Sequence, residues 1–156
     1  MVSLVSERSR FHLPSLGALA GPSRPPSIEE ARRALGGAAV GKRTGERVEV
    51  DRGRGRSAEG LVVLRSATEV DVFLGDGVFA RIRAPDGPRP LTRPSPALDA
   101  PAADLERFAS LRVGDAVLAR RERRGVVLEI CRYGALVESD GVVLAVGFRN
   151  LAPDQT

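Results

Sequence analysis

The sequence predicts a mainly β protein, two tandem small β-barrels with short flanking helices, and three observations predict it. Short runs of alternating apolar and polar residues recur from about residue 45 onward. Glycine-containing turns separate them, as tight hairpins require. The whole pattern then comes a second time, beyond a proline-rich stretch.

Residues 1–44 read as a flexible tail that carries one short helix. Residues 1–26 mix Ser, Arg, Pro and Gly with isolated apolar residues and close on Gly21-Pro22-Ser23-Arg24-Pro25-Pro26, a composition that cannot build a core. Ser27 is a good N-cap, and Glu30 stands at the capping-box spacing. Ile28, Ala31 and Leu35 then share a face, and Gly36-Gly37 ends a helix over 28–35. So short a helix does not persist alone in water and must dock on something.

The first β unit covers 45–84. Val48 and Val50 alternate with Glu49, Gly60 opens Leu61-Val62-Val63-Leu64, and Val70 to Leu74 shows period two. Gly75-Asp76-Gly77 supplies a hairpin turn into Val78, Ala80 and Ile82. Residues 85–112 read as a linker rich in proline (Pro85, Pro88, Pro90, Pro94, Pro96, Pro101) that ends in a helix from Pro101 to Ser110 with Leu105, Phe108 and Ala109 on its apolar face.

The second β unit, 113–152, repeats the first. Gly114-Asp115-Ala116-Val117 matches Gly45-Glu46-Arg47-Val48, Gly125-Val126-Val127-Leu128 matches Gly60-Leu61-Val62-Val63, and Asp140-Gly141-Val142 matches Asp76-Gly77-Val78. The offsets are 69, 65 and 64 residues, so the anchors keep their order and nearly their spacing, as an internal duplication would leave them.

Composition argues against catalysis. The one histidine, His12, lies in the tail, so no triad forms around it, and one His with one Cys builds no zinc site. Gly53-Arg54-Gly55 lacks the rest of a dinucleotide fingerprint, and no phosphate loop is present. No enzyme, metal or small-molecule cofactor is expected. Cys131 excludes an internal disulfide, suits a reducing compartment and reads as a buried small residue. No apolar run is long enough to span a membrane. The weak apolar stretch Leu13–Ala20 is broken by Pro14 and Ser15, which predicts a cytoplasmic protein rather than an exported one.

Lys and Arg number 24 against 20 acids, yet Lys42 is the single lysine, a bias that GC-rich bacterial genomes produce. The net +4 resides in residues 1–44, which leaves the β units nearly neutral. Within them, arginine gathers at one corner of each unit. Asp51-Arg52-Gly53-Arg54-Gly55-Arg56 joins the first two strands of one unit, and Arg120-Arg121-Glu122-Arg123-Arg124 joins those of the other. Guanidinium forks suit phosphate, and glycines let a backbone come close to it. Arg132-Tyr133 would add a stacking platform beside the second cluster. These residues predict nucleic-acid or ribonucleoprotein binding. The alternative is a protein adaptor that docks on a larger assembly through Phe11, Leu13, Leu16 and Leu19 of the tail.

Gly114 to Ala119, then Gly125-Val126-Val127 and the Asp140-Gly141 hairpin, resembles the small Src-homology-3-like barrels of the Tudor and KOW families, which implies binding to nucleic acid, ribosomal or transcription complexes. The methylated-side-chain use of those families needs an aromatic cage that the sequence lacks. Gly60 to Gly77 followed by Val113–Val117 and Gly125–Val127 is also similar to an OB fold, which would be one barrel with the Pro-rich stretch as an inserted loop. Leu105 to Ala119 with Val126-Val127-Leu128 and Val142 to Phe148 is similar to the surface-presentation domain of flagellar and secretion ring proteins, which implies an assembly role.

Overall fold

The computed structural model describes residues 10–12 as backbone, and residues 27–83, 87–120 and 122–155 throughout. The chain is mainly β. Strands β1 (Arg10–His12), β2 (Arg47–Gly53), β3 (Arg56–Arg65), β4 (Glu69–Phe73), β5 (Val78–Arg83) and β6 (Arg89–Pro90) form one sheet in the order β1-β5-β4-β3-β2-β6. Strands β7 (Ala116–Ala119), β8 (Arg123–Ile130), β9 (Gly134–Ser139), β10 (Val142–Gly147) and β11 (Leu151–Pro153) form another in the order β10-β9-β8-β7-β11. All their pairings are antiparallel. Helices α1 (Ile28–Ala34) and α2 (Asp99–Ala109) and the 3-10 turns Pro96–Leu98 and Phe148–Asn150 complete the described elements.

Each sheet is built on a four-stranded meander whose first strand takes a later, fifth strand on its other side, and the first sheet adds β1 beside β5. Among the described residues the end strands of each sheet are not hydrogen-bonded to one another, so the pairing is that of open sheets. Two compact units result, one from β1 and residues 40–102, the other from residues 27–39 and 103–155.

The two meanders agree in detail. The β3/β4 ladder slips between Val62 and Leu64, and the β8/β9 ladder slips at the matching place, between Val127 and Glu129. Such bulges bend a strand and sharpen its twist. Gly60 lies under Val72, and a Cβ there would meet Val72 Cγ1 at 2.3 Å; Gly125 lies under Val137, where the distance is 2.4 Å. Gly45 and Gly114 each donate a backbone hydrogen bond to the bulged strand, to the carbonyls of Val62 and Val127. The fifth strands match too: Pro90 stands opposite Val48 as Pro153 stands opposite Val117.

Two segments differ from the sequence reading. The proline-rich linker is not only a linker, because Arg89–Pro90 pairs with β2. An edge strand tolerates the missing proline N–H, and two residues are too few to show a period. Within the supposed tail, Arg10–His12 pairs with Ala80, Phe79 and Val78 of β5.

The core of the first unit is a layer of small branched side chains, among them Val48, Val50, Val62, Val70, Val72 and Ile82. Phe73 and Phe79 are cross-strand partners with ring centroids 5.3 Å apart. In the second unit α1 packs on β9 and β10. Ala31 and Leu35 are buried there against Cys131, Leu136 and Ala145, the docking that so short a helix needs. Its start is the expected cap, with the Glu30 N–H donating to Ser27 Oγ at 3.1 Å. Its end is a Schellman turn, with Gly37 N–H bonded to the Arg32 carbonyl and Gly36 N–H to that of Arg33. Gly36 has the left-handed φ that this turn demands, 81°.

Candidate functional site

The arginine clusters lie where the fold repeats. Asp51 to Arg56 spans the β2/β3 hairpin, and Arg120 to Arg124 spans the β7/β8 hairpin, the first hairpin of each meander. In the first, Arg54 and Gly55 occupy the turn with φ of 52° and 72°, the type I′ geometry that matches strand twist. Asp51 supports it by accepting the Gly53 N–H at 2.7 Å. Arg120 also has positive φ, 55°, and its N–H is bonded to the Asn150 carbonyl at 2.8 Å. An arginine in this region costs roughly 1–2 kcal/mol relative to the ordinary conformation. Turn geometry alone favours Gly or Asn there, so the arginines are not what turn chemistry selects.

The side chains divide into two groups. Arg52 lies 3.9 Å from Asp76, Arg124 lies 3.6 Å from Asp154, and the Arg123 Nε donates to Ser139 Oγ at 3.3 Å. Arg54, Arg56 and Arg120 are exposed and make no side-chain ion pair among the described residues. Arg121 lies outside the described residues.

Two expected contributions are not of the kind foreseen. Tyr133 is no stacking platform: it is 2 % exposed, and its ring fills the space beside Gly36, where a Cβ would meet Cε2 at 2.5 Å. Burial of this ring against a glycine nearly a hundred residues earlier leaves no face for a base. Its neighbour Arg132 is half-buried, with its N–H bonded to the Gly37 carbonyl at 2.9 Å, so the Arg132-Tyr133 segment serves the seating of α1. Of the proposed docking residues, Phe11 falls in β1, while Leu13, Leu16 and Leu19 lie outside the described residues. Cys131 is buried, as the sequence suggests.

A cleft of about 710 Å³ in the second unit also uses Arg120. It lies over the β7/β11 pair, where Leu118 and Ala152 stand opposite each other. Arg107 enters from α2 and Arg149 from the 3-10 turn, and both pair with Asp104, Arg149 through Nε at 2.9 Å. The sequence carries no signal for this grouping, since its members come from α2, β7, the β7/β8 turn, the 3-10 turn and β11. Among the described residues no cluster of His, Cys, Asp and Glu is arranged to hold a metal ion, and no helix is long and apolar enough to cross a membrane.

Comparison with protein-family models, with curated proteins and with solved structures yields no match for this chain.

Proposed function

We propose that the protein is a non-catalytic binding module, two small Src-homology-3-like barrels in tandem, that holds nucleic acid or a ribonucleoprotein through its two arginine hairpins. One observation carries the reading: equivalent hairpins of the two units both present exposed arginines that make no side-chain ion pair among the described residues, Arg54 and Arg56 in one and Arg120 in the other. The partly open barrel is supported by the matched bulges in β3 and β8, which let so small a sheet coil, and by the fifth strand that returns beside the first.

The chemistry follows from what the hairpins contain. Guanidinium forks read phosphate and carry no base information, and Tyr133, the aromatic residue expected to stack a base, is buried. Binding is therefore to the backbone, tolerant of sequence and sensitive to salt. Fluorescence anisotropy with mixed-sequence single- and double-stranded RNA and DNA tests this. Micromolar binding that weakens steeply with salt is expected, and Arg54→Gln with Arg56→Gln should flatten the salt dependence. Absence of binding at low salt overturns the reading.

A further inference from the structure

The cleft over β7 and β11 has a construction that the hairpin reading does not use. We propose that it is a binding site for a phosphate ester group, a proposal that rests on the nucleic-acid reading for its source: a phosphodiester of the same strand rather than a free nucleotide.

The volume, about 710 Å³, is within the range of small-ligand sites, roughly 300–1,000 Å³. Among the described residues three arginines line it, Arg107, Arg120 and Arg149, with the acids Asp104 and Glu122. The arrangement of the acid matters. The Asp104 side chain is 15 % exposed and receives both Arg107 and Arg149, so one carboxylate orients two guanidiniums that come from separate elements. A planar fork that is already oriented loses less entropy per hydrogen bond when it meets an oxyanion. Asp104 is thus a positioning residue. Arg120, by contrast, makes no side-chain ion pair among the described residues, and it lines the same cleft.

The ligand class follows from what else lines the space. Leu118 and Ala152 give an apolar floor, and none of the described lining residues is aromatic. A base has no ring to stack on, whereas a phosphate has oriented donors and a sugar has an apolar surface to lie against. Arg120 belongs at once to the cleft and to the β7/β8 hairpin. A strand held by that hairpin would therefore have a phosphate within the cleft's reach.

The test is an amide chemical-shift titration of the full-length ¹⁵N-labelled protein, with a short oligouridylate and, separately, with uridine monophosphate. The expected result is that amides of Arg107, Arg120, Asn150 and Leu151 shift with the oligouridylate, and that Arg120→Gln weakens its binding about tenfold, the size of one charge-assisted hydrogen bond. Arg120 is exposed, so this variant keeps the fold, and an unchanged thermal melt checks that. Shifts at the same amides with uridine monophosphate but none with the oligouridylate support the cleft and overturn the nucleic-acid reading. Oligouridylate shifts confined to Arg54–Arg56 and Arg123–Arg124, with the cleft amides unmoved, overturn the cleft and leave the hairpin reading standing. No shift with either probe overturns both.

Discussion

The Arg32 guanidinium grips both oxygens of Glu129, Nε to Oε2 at 2.6 Å and Nη2 to Oε1 at 2.9 Å, across 97 residues of sequence. The fork ties α1 to β8 beside the apolar contact of Ala31 and Leu35. It is a specific feature, because a bidentate pair fixes orientation as well as distance.

This pair gives the second unit a pH dependence of known sign. The hydrogen bond from Arg32 holds the Glu129 carboxyl below its ordinary pKa, and the same bond pushes the guanidinium's pKa up. The unfolded chain then binds more protons than the folded one in the carboxylate range, so stability rises with pH there. The contribution is complete above the unfolded value, about 4.3, and is lost as pH falls through the folded one. Thermal melts taken toward acid should show the melting temperature dropping below about pH 4, and Glu129→Gln should flatten that part of the curve.

The glycines within the bulged strands β3 and β8 should not accept a methyl group. Gly60→Ala and Gly125→Ala are each expected to cost about 1–3 kcal/mol by overpacking. The second should cost more, because its Cβ would meet the Glu138 carbonyl oxygen at 2.7 Å as well as Val137, whereas at Gly60 the close contact is the Val72 side chain alone. Urea unfolding of the two variants compares them directly.

Docking of α1 rests on Leu35, which is 1 % exposed. Leu35→Ala is expected to lose about 2–5 kcal/mol, the usual range for a buried leucine. Tyr133 fluorescence reads the effect, since loosening the Gly36 turn exposes the one tyrosine in the chain to water.

The two hairpins should act alike on nucleic acid. Replacing Arg54 and Arg56 by Gln, or Arg123 and Arg124, is expected to lower the slope of log K against log salt by about one per phosphate contact removed, without altering preference among sequences. Salt titrations of each double variant on two unrelated oligonucleotides measure both quantities. A variant that changes sequence preference while keeping its slope contradicts backbone binding.

Much of the architecture is written locally. Val48 and Val50 lie in β2, Gly60 to Leu64 in β3 and Val70 to Phe73 in β4, because period-two patterning reports one buried face wherever the partner strand comes from. The Ser27 cap and the Gly36-Gly37 turn bound α1 because both are settled by hydrogen bonds within a few residues. The repeat of Gly45, Gly60 and Asp76 in Gly114, Gly125 and Asp140 is likewise visible in the chain, and so are the arginine hairpins, since turns carry their own chemistry.

What the tertiary structure decided are the pairings between distant segments. Nothing near Tyr133 tells that its ring is buried, because the space it fills is made by the missing Cβ of Gly36. Nothing in Arg89–Pro90 marks a strand, because its partner β2 supplies the ladder. Arg107, Arg120 and Arg149 come to one cleft, and Arg32 to Glu129, only once helix, turn and sheet have packed. Local patterning records how each segment meets solvent and core; which segments meet each other is set by long-range burial, and that exists only in the folded chain.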